Sequence, residues 1–209
     1  VLFILLGILA AATLDELKFS FDFSQFFPEE DPDLAFYENY VEEFGTDDNF
    51  LLIAIKNEPD VFQTDFLKRF QAFTEESKGF KHVVESSSLT SLSYPLKTTF
   101  GYTALPIIHI EDPLKYQKDW NKIQEDSLFV NVLIDEKSLV LALRTDDNLD
   151  YQQSEVLLSE IRTSLKEYNF SDYHILGRAF FYEAIVEMQK SEVLTTTIVA
   201  SILVFIILL

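Results

Sequence analysis

Two clusters of oxygen-bearing side chains are the first candidates for chemistry in this sequence. Residues 47–49 (Asp-Asp-Asn) stand directly before an apolar run, and residues 146–148 (again Asp-Asp-Asn) directly after another. Carboxylate and amide oxygens are ligands that Ca²⁺ prefers, but neither cluster has the spaced ligands and the glycine of a twelve-residue calcium loop. The same residue types are common in turns and helix caps. We therefore predict turns or caps at both clusters.

No other pattern indicates an enzyme, a metal centre or a bound cofactor. The three histidines, His82, His109 and His174, lack the i, i+4 spacing of a helical zinc site. The sequence has no Cys, which excludes disulfides and thiolate ligands. It also has no G-x-S-x-G motif, and the residues that begin at Gly177 (GRAF) do not form a phosphate loop. We predict a protein without catalytic residues and without a cofactor.

An aromatic and aliphatic group in the middle of the chain is the candidate binding surface. Residues 86–109 show no clear period and contain Ser/Thr clusters, two prolines and a glycine, so we predict an irregular excursion. An apolar patch on such a loop suits a hydrophobic substrate. The alternatives are packing against a partner domain or a small core within the excursion itself. The candidate contact residues are Phe100, Tyr102, Leu105, Ile107 and Ile108.

The charge balance narrows the possible partners. The chain carries 35 acidic and 16 basic residues, a formal net charge of −19, and all of them lie within residues 15–192. A nucleic-acid surface needs a basic stripe, and docking on anionic lipid needs basic clusters. The composition therefore excludes both kinds of surface. An acidic balance of this size is more typical of a solvated domain face than of a binding site.

Uncharged segments lie on both sides of this acidic middle. Residues 193–209 (VLTTTIVASILVFIILL) and residues 1–14 (VLFILLGILAAATL) contain no charge, and a helix needs about 20 mostly apolar residues to cross a bilayer. We predict that residues 1–14 end a first membrane-spanning helix and that residues 193–209 begin a second. A signal peptide is the alternative for the first segment. Neither flank of residues 15–192 is rich in Lys or Arg, so we expect this region outside the cytoplasm.

Hydrophobic periodicity predicts the elements between the two spans. Residues 15–49 are predicted to hold a leader strand (residues 18–27) and a short helix that is capped by Asp31 or Asp33 and ends at Gly45. Strands are predicted at residues 50–55, 82–85, 139–143 and 173–176, with helices at 61–76, 113–123 and 150–168, and residues 128–134 fit either a helix end or a strand. A helix at 180–192 connects to the second span.

The resulting order, β-α-β-β-α-β with an insertion at about residues 86–127, is that of a ferredoxin-like α+β domain over residues 50–179. Phe62, Phe66, Phe70 and Phe73 repeat at helical spacing and are predicted to face its core.

Two stretches of the sequence resemble one known family. The segment FFPEEDPDLAFYENYVEEFGTDDNFLLIAI after the first apolar segment is similar to the opening of a porter domain in the RND superfamily of proton-driven exporters, in the branch labelled MMPL-like or hydrophobe/amphiphile exporters and distantly related to Patched. The segment HILGRAFFYEAIVEMQKSEVLTTTIVASILVFIILL is similar to the end of that domain and the span after it. The residues that fit the family pattern are Pro28, Asp31, Pro32, Phe44, Gly45, Asp48 and Gly177.

The resemblance implies the first periplasmic porter domain of a longer protein in the bacterial inner membrane. Such exporters have about twelve spans and two porter domains, take up hydrophobic or amphiphilic compounds such as lipids, and use the proton motive force. Expected partners are the bilayer, the substrate, the second porter domain and a possible homo-oligomer. Two alternatives remain open. One is the sensor domain of a two-span signalling protein, and the other is a protein-translocation component of the same superfamily.

Overall fold

The computed structural model of this chain describes residues 28, 31–46, 48–99, 101–126, 129–130 and 132–208. The predicted first span (1–14), the predicted leader strand (18–27), Asp47 and Phe100 lie outside the described residues. The structure is mixed α and β, as predicted. Its helices are α1 (Pro32–Phe44), α2 (Thr64–Ser77), α3 (Tyr116–Gln124, after a 3₁₀ turn at Pro113–Lys115), α4 (Tyr151–Glu167) and α5 (Arg178–Leu208). Its strands are β1 (Phe50–Lys56), β2 (Val83–Ser87), β3 (Ser93–Thr98), β4 (Gly101–Pro106), β5 (Ser138–Thr145) and β6 (Tyr173–Gly177).

Four strands form one antiparallel sheet in the order β2-β5-β1-β6. The central strand β1 alternates in burial: Leu51, Ile53 and Ile55 are completely buried, whereas its other residues are partly or fully exposed. Successive side chains of a strand point to opposite faces of the sheet, so only one face is fully covered. The apolar run at residues 50–55 therefore forms the predicted central strand.

Helices α2 and α4 cover that face. Phe66, Phe70 and Phe73 of α2 are buried and surround the ring of Phe170, with ring centroids 5.8–6.3 Å from it. Helix α4 begins at Tyr151 and is capped by Asp150, which forms a capping box with Gln153. A capping box satisfies two backbone donors that the helix cannot pair itself, so the predicted helix start is reproduced here.

Phe62 does not belong to α2, contrary to the prediction. The helix begins at Thr64, and the ring of Phe62 lies 5.7 Å from that of Tyr116 and 5.8 Å from that of Trp120. The side chain of Asp60 accepts a hydrogen bond from the Phe62 backbone N–H, which holds this residue in a turn before the helix. Its spacing matches the helix by coincidence, because Phe62 packs on the insertion instead.

The predicted irregular excursion contains a regular β-hairpin, which corrects the sequence-based interpretation. Strands β3 and β4 pair antiparallel from Ser93 opposite Pro106 to Thr98 opposite Gly101. Almost every residue of the hairpin is exposed on both faces. Alternation of polar and apolar residues arises only where one face is buried, so a hairpin exposed on both faces has no period to detect.

Residues 128–134 form neither a helix end nor a strand in their described part. Val130 and Ile134, and then Ile134 and Leu139, form isolated bridges on either side of a turn. The backbone N–H of Leu133 bonds to the Phe129 carbonyl at 2.8 Å, which closes that turn. Ile134 is 1% exposed and anchors the turn to the core beside β5.

Candidate functional site

The predicted contact residues of the excursion divide into two groups. Tyr102 and Leu105 lie on β4 and are 77% and 38% exposed, whereas Ile107 and Ile108 are 3% and 2% exposed. The chain returns to the domain core directly after β4, so the two isoleucines belong to the hydrophobic core and not to a surface patch. Of the described candidates, only Tyr102 and Leu105 are placed to contact a ligand from solution. Their contact with a substrate stays a prediction.

The base of the hairpin is fixed to the insertion. The Lys122 ammonium lies 3.6 Å from the ring centroid of Tyr94, and the ring of Phe129 packs edge-on against that ring at 6.2 Å. A cation held over an aromatic face is attracted by the electrons of the ring. Burial raises the pKa of the Tyr94 hydroxyl above its ordinary value. The hairpin is therefore held at Tyr94 while its outer half, with Tyr102, extends into solvent.

The two oxygen-rich clusters meet at one end of the sheet, where β1 begins and β5 ends. Asn49 donates to the Asp147 carboxylate at 2.6 Å, and Thr46 donates to the same oxygen at 3.3 Å. The Arg178 guanidinium donates to Asp48 at 3.0 Å and to the Asn148 side chain at 3.3 Å. Asn148 has a φ of +55°, a left-handed turn conformation that Asn tolerates. Their roles are turn and ion-pair chemistry between segments about 100 residues apart in sequence.

Gly177 connects the last strand to α5 and cannot carry a side chain. Its φ is +145°, and a Cβ placed on it would overlap the Phe50 carbonyl oxygen and lie 2.9 Å from the Leu51 Cα. Glycine alone has both the backbone freedom and the space for this position. The chain therefore passes from β6 into α5 in tight contact with the start of β1.

An ion pair between a partly exposed guanidinium and a buried carboxylate joins α4 to α5. Arg162 donates two hydrogen bonds to the Glu183 carboxylate, at 2.8 and 2.6 Å, and the Glu183 side chain is 7% exposed. The hydrogen bond to Glu183 holds the pKa of Arg162 above its ordinary value. Paired hydrogen bonds of this kind fix the relative orientation of the two side chains. Helix α4 thus holds α5 at a defined point, five residues after α5 begins.

The pair of Arg162 and Glu183 is not among the features predicted from the sequence, although the sequence contains one sign of it. Ala179, Glu183 and Val186 follow at helical spacing, and all three are at most 5% exposed. An acidic residue on the apolar stripe of a helix is rare without a partner, so Glu183 itself pointed to a buried cation. A second contact lies further along α5, where the Lys190 ammonium donates to the Tyr151 hydroxyl at 3.1 Å.

Five of the residues that fit the family pattern lie in or beside α1: Pro28, Asp31, Pro32, Phe44 and Gly45. Asp31 caps α1, and its carboxylate accepts from two backbone N–H groups at 2.8 and 3.3 Å. Pro32 occupies the first helical position, and Gly45 ends the helix with a φ of +82°. Phe44 is 68% exposed and Pro28 is exposed. Helix α1 contributes no buried residue to the core, so its aromatic side chains face solvent.

The histidines make ordinary hydrogen bonds or face solvent. The Nδ1 atom of His109 lies 2.9 Å from the carboxylate of the buried Asp119, and the Nδ1 atom of His82 lies 3.0 Å from Asp146. His174 is exposed on β6. Within the described part of the chain, no three His, Asp or Glu side chains are grouped so that they could hold a metal ion.

An open groove lies at the opposite end of the sheet, where β1 ends. Trp120, Lys56 and Lys137 line it. Both lysines are paired, since Lys137 lies 2.9 Å from Glu58 and Lys56 lies 3.7 Å from Asp172. With its cations neutralised and its walls mixed in polarity, the groove offers neither an anion site nor an apolar pocket.

Helix α5 is long and apolar enough to cross a membrane. Residues Arg178–Ile207 form one uninterrupted helix with a mean hydropathy of 1.8 over its most apolar part, and none of that part is buried. In chain order, α5 first packs on α4 and then continues without any contact that buries it. The predicted connecting helix (180–192) and the predicted start of the second span (193–209) thus form a single helix through Leu208.

Comparison with models of known protein families finds no matching family, and comparison with curated proteins finds no matching protein. The resemblance to RND exporters therefore stays a prediction from the sequence.

Proposed function

We propose that this chain is the extracytoplasmic substrate-handling domain of a proton-driven exporter of the RND superfamily. Its cargo is hydrophobic or amphiphilic, with lipids as the expected class. It sits in a multi-pass protein of the bacterial inner membrane, with residues 15–192 on the periplasmic side and a second porter domain of the same protein as neighbour. It binds and guides its cargo by changing conformation and makes or breaks no bond in it.

The continuity of α5 carries this proposal. The helix begins directly after Gly177, which lies tight against β1, and it is joined to α4 through Glu183. As a whole it is long and apolar enough to cross a bilayer. A rigid helix of this kind transmits any movement of the sheet to the membrane, and the reverse. Export by alternating conformations needs such a mechanical link between the domain and its spans.

The strand order supports the finer fold that we propose, a ferredoxin-like porter domain. The order β2-β5-β1-β6 places the two strands that are central in the ferredoxin-like plan, β1 and β5, side by side. Helices α2 and α4 follow β1 and β5 in sequence, which is the split βαβ arrangement. The hairpin and α3, which contact each other through Tyr94 and Lys122, together form an insertion between the two halves.

The exposed apolar side chains of the hairpin support its proposed role as a contact surface for hydrophobic cargo. Tyr102 is 77% exposed on one face of the hairpin, and Leu96 and Leu105 are 45% and 38% exposed on the other face. Exposed aromatic and aliphatic side chains on a projecting element are typical of sites that bind apolar surfaces. The groove near Trp120 is lined by charged side chains, among them Lys56, Glu58 and Lys137, so the hairpin is the better candidate for apolar cargo.

The same helix also fits a two-span sensor, in which α5 transmits a ligand signal to a cytoplasmic output domain. A translocation component of the RND superfamily has the same architecture but acts on unfolded chains. The nature of the cargo distinguishes these alternatives.

Removal of the apolar side chains at the hairpin tests the proposal in the full-length protein. We expect Tyr102→Ser combined with Leu105→Ser to lower proton-dependent efflux of an amphiphilic dye such as Nile red by about tenfold, because two apolar contacts with the cargo are lost. The measurement is dye efflux from cells that lack the native gene and express each variant, with and without a protonophore.

The matched control is Leu114→Ser, which removes an apolar side chain that is 94% exposed but lies outside the hairpin. Its efflux should equal that of the unaltered protein. Unchanged efflux in the double variant would show that Tyr102 and Leu105 do not contact the cargo, but it would leave the exporter proposal unaffected. If the unaltered full-length protein gives no proton-dependent efflux of any apolar probe, the exporter proposal itself is wrong.

A further inference from the structure

The hydrogen-bonding phase of the hairpin can be read from its base. The Ile107 backbone N–H donates to the Leu92 carbonyl at 3.3 Å, so these two residues form a hydrogen-bonded pair. Hydrogen-bonded and non-hydrogen-bonded pairs alternate along an antiparallel ladder. The register therefore makes Pro95 and Ala104, and likewise Lys97 and Tyr102, non-hydrogen-bonded pairs whose backbone groups point outward.

The positions of the two prolines agree with this phase. Pro95 and Pro106 both occupy outward-pointing positions, where a missing N–H breaks no bond within the hairpin. The outer edge of β3 is interrupted at its centre by Pro95, a device that prevents pairing with another strand. The outer edge of β4 has no such interruption at Tyr102 and Ala104. Within the described residues, neither their N–H nor their carbonyl groups have a backbone partner.

The charge pattern selects the occupant of this edge. Residues 86–110 contain one lysine and no acidic residue, although the chain as a whole has 35 acidic residues and a net charge of −19. Two copies of such an acidic domain repel one another over most of their surface. At the hairpin two copies approach with little repulsion, because this region carries no acidic residue and a single lysine.

We propose that β4 pairs antiparallel with β4 of a second copy around a two-fold axis at Thr103. In that register, the backbone N–H and carbonyl of Tyr102 bond to those of Ala104 in the second copy. Ala104 bonds in the same way to Tyr102 of the second copy, which gives four backbone hydrogen bonds. The strand is self-complementary because its two free donors lie symmetrically about Thr103. The two hairpins then form a four-stranded sheet, which is more stable than an isolated two-stranded one.

This inference concerns the backbone edge of β4 and holds whether the chain exports, senses or translocates. It uses no side chain of the proposed cargo surface, so Tyr102→Ser leaves the dimer intact. If no dimer forms, the proposed function is therefore unaffected. If the proposed function is wrong, the dimer proposal is unaffected as well.

Crosslinking in the membrane tests the proposal in the full-length protein. The 209 residues contain no Cys, so Thr103→Cys introduces a single thiol into this domain. Across the proposed axis, two such residues form a non-hydrogen-bonded pair with Cα atoms about 4.5 Å apart, within the range of a disulfide. We expect mild oxidation to produce a covalent dimer on a non-reducing gel.

Two further variants make the test specific. Lys97→Cys places the thiol on the far strand β3, and we expect no dimer band from it. Ala104→Pro added to Thr103→Cys removes an outward donor from each copy and leaves the bonds within the hairpin, so it should lower the dimer yield by about tenfold. Equal crosslinking at positions 103 and 97, or no effect of the proline, overturns the proposal.

Discussion

Gly177→Ala is expected to destabilise the domain more than any other single methyl addition to a described glycine. The new Cβ overlaps the Phe50 carbonyl and lies 2.9 Å from the Leu51 Cα, and the residue is held at a φ of +145°. Backbone strain and overpacking each cost about 1–3 kcal/mol, so we expect a loss of about 3 kcal/mol or more. The melting temperature of the detergent-solubilised protein should fall by about 6–12 °C.

Gly101→Ala is the matched control for this experiment. Gly101 also has a positive φ, +129°, but a Cβ placed there meets no atom within 4 Å. This variant should therefore show only the conformational cost, about 1 kcal/mol. Equal melting temperatures for the two variants contradict the tight contact between Gly177 and β1.

Arg162→Met is expected to have the second largest effect, because it leaves the buried Glu183 carboxylate without its partner. Removal of one member of a buried ion pair costs about 3–5 kcal/mol. Since the Arg162 side chain is 42% exposed and water can enter in its place, we expect about 2 kcal/mol. Thermal unfolding followed by circular dichroism measures the loss.

The double variant Arg162→Met with Glu183→Met provides the internal test. Methionine at both positions leaves no unpaired charge and fills the space with apolar atoms, so stability should return toward that of the unaltered protein. If the two single substitutions instead add independently, the pair does not couple α4 to α5.

Lys190→Met, at the exposed contact with Tyr151, should change stability by less than about 0.5 kcal/mol.

Local patterns were sufficient to predict the elements that have one buried face. The strand at residues 50–55 and the helix with Leu157, Ile161 and Leu165 follow simple periods, because burial on one side selects apolar residues at every second or every third to fourth position. The stop at Gly45 and a cap at Asp31 or Asp33 follow from local backbone chemistry, and the structure has Asp31 as the cap. These features depend on neighbours within a few residues.

Features that depend on distant residues could not be predicted in the same way. The sequence does not predict the hairpin, because both of its faces are exposed. It predicts Ile107 and Ile108 at a contact surface, although both are buried in the core. Arg178 and Asp48 pair although they lie 130 positions apart, and the sequence around either residue does not indicate the other as its partner. Turn chemistry at the two Asp-Asp-Asn clusters was predicted, but their meeting at one sheet end is a consequence of the sheet order.

Thiol labelling at Leu114 tests most directly the proposal that α5 crosses a membrane and that this domain lies on its periplasmic side. Leu114 is 94% exposed, and the 209 residues contain no Cys, so Leu114→Cys places a single reactive group on the surface of this domain. A membrane-impermeant maleimide should label it in intact spheroplasts of the native host as fully as after lysis. Labelling only after lysis places the domain in the cytoplasm and contradicts the proposed exporter and the alternative sensor alike.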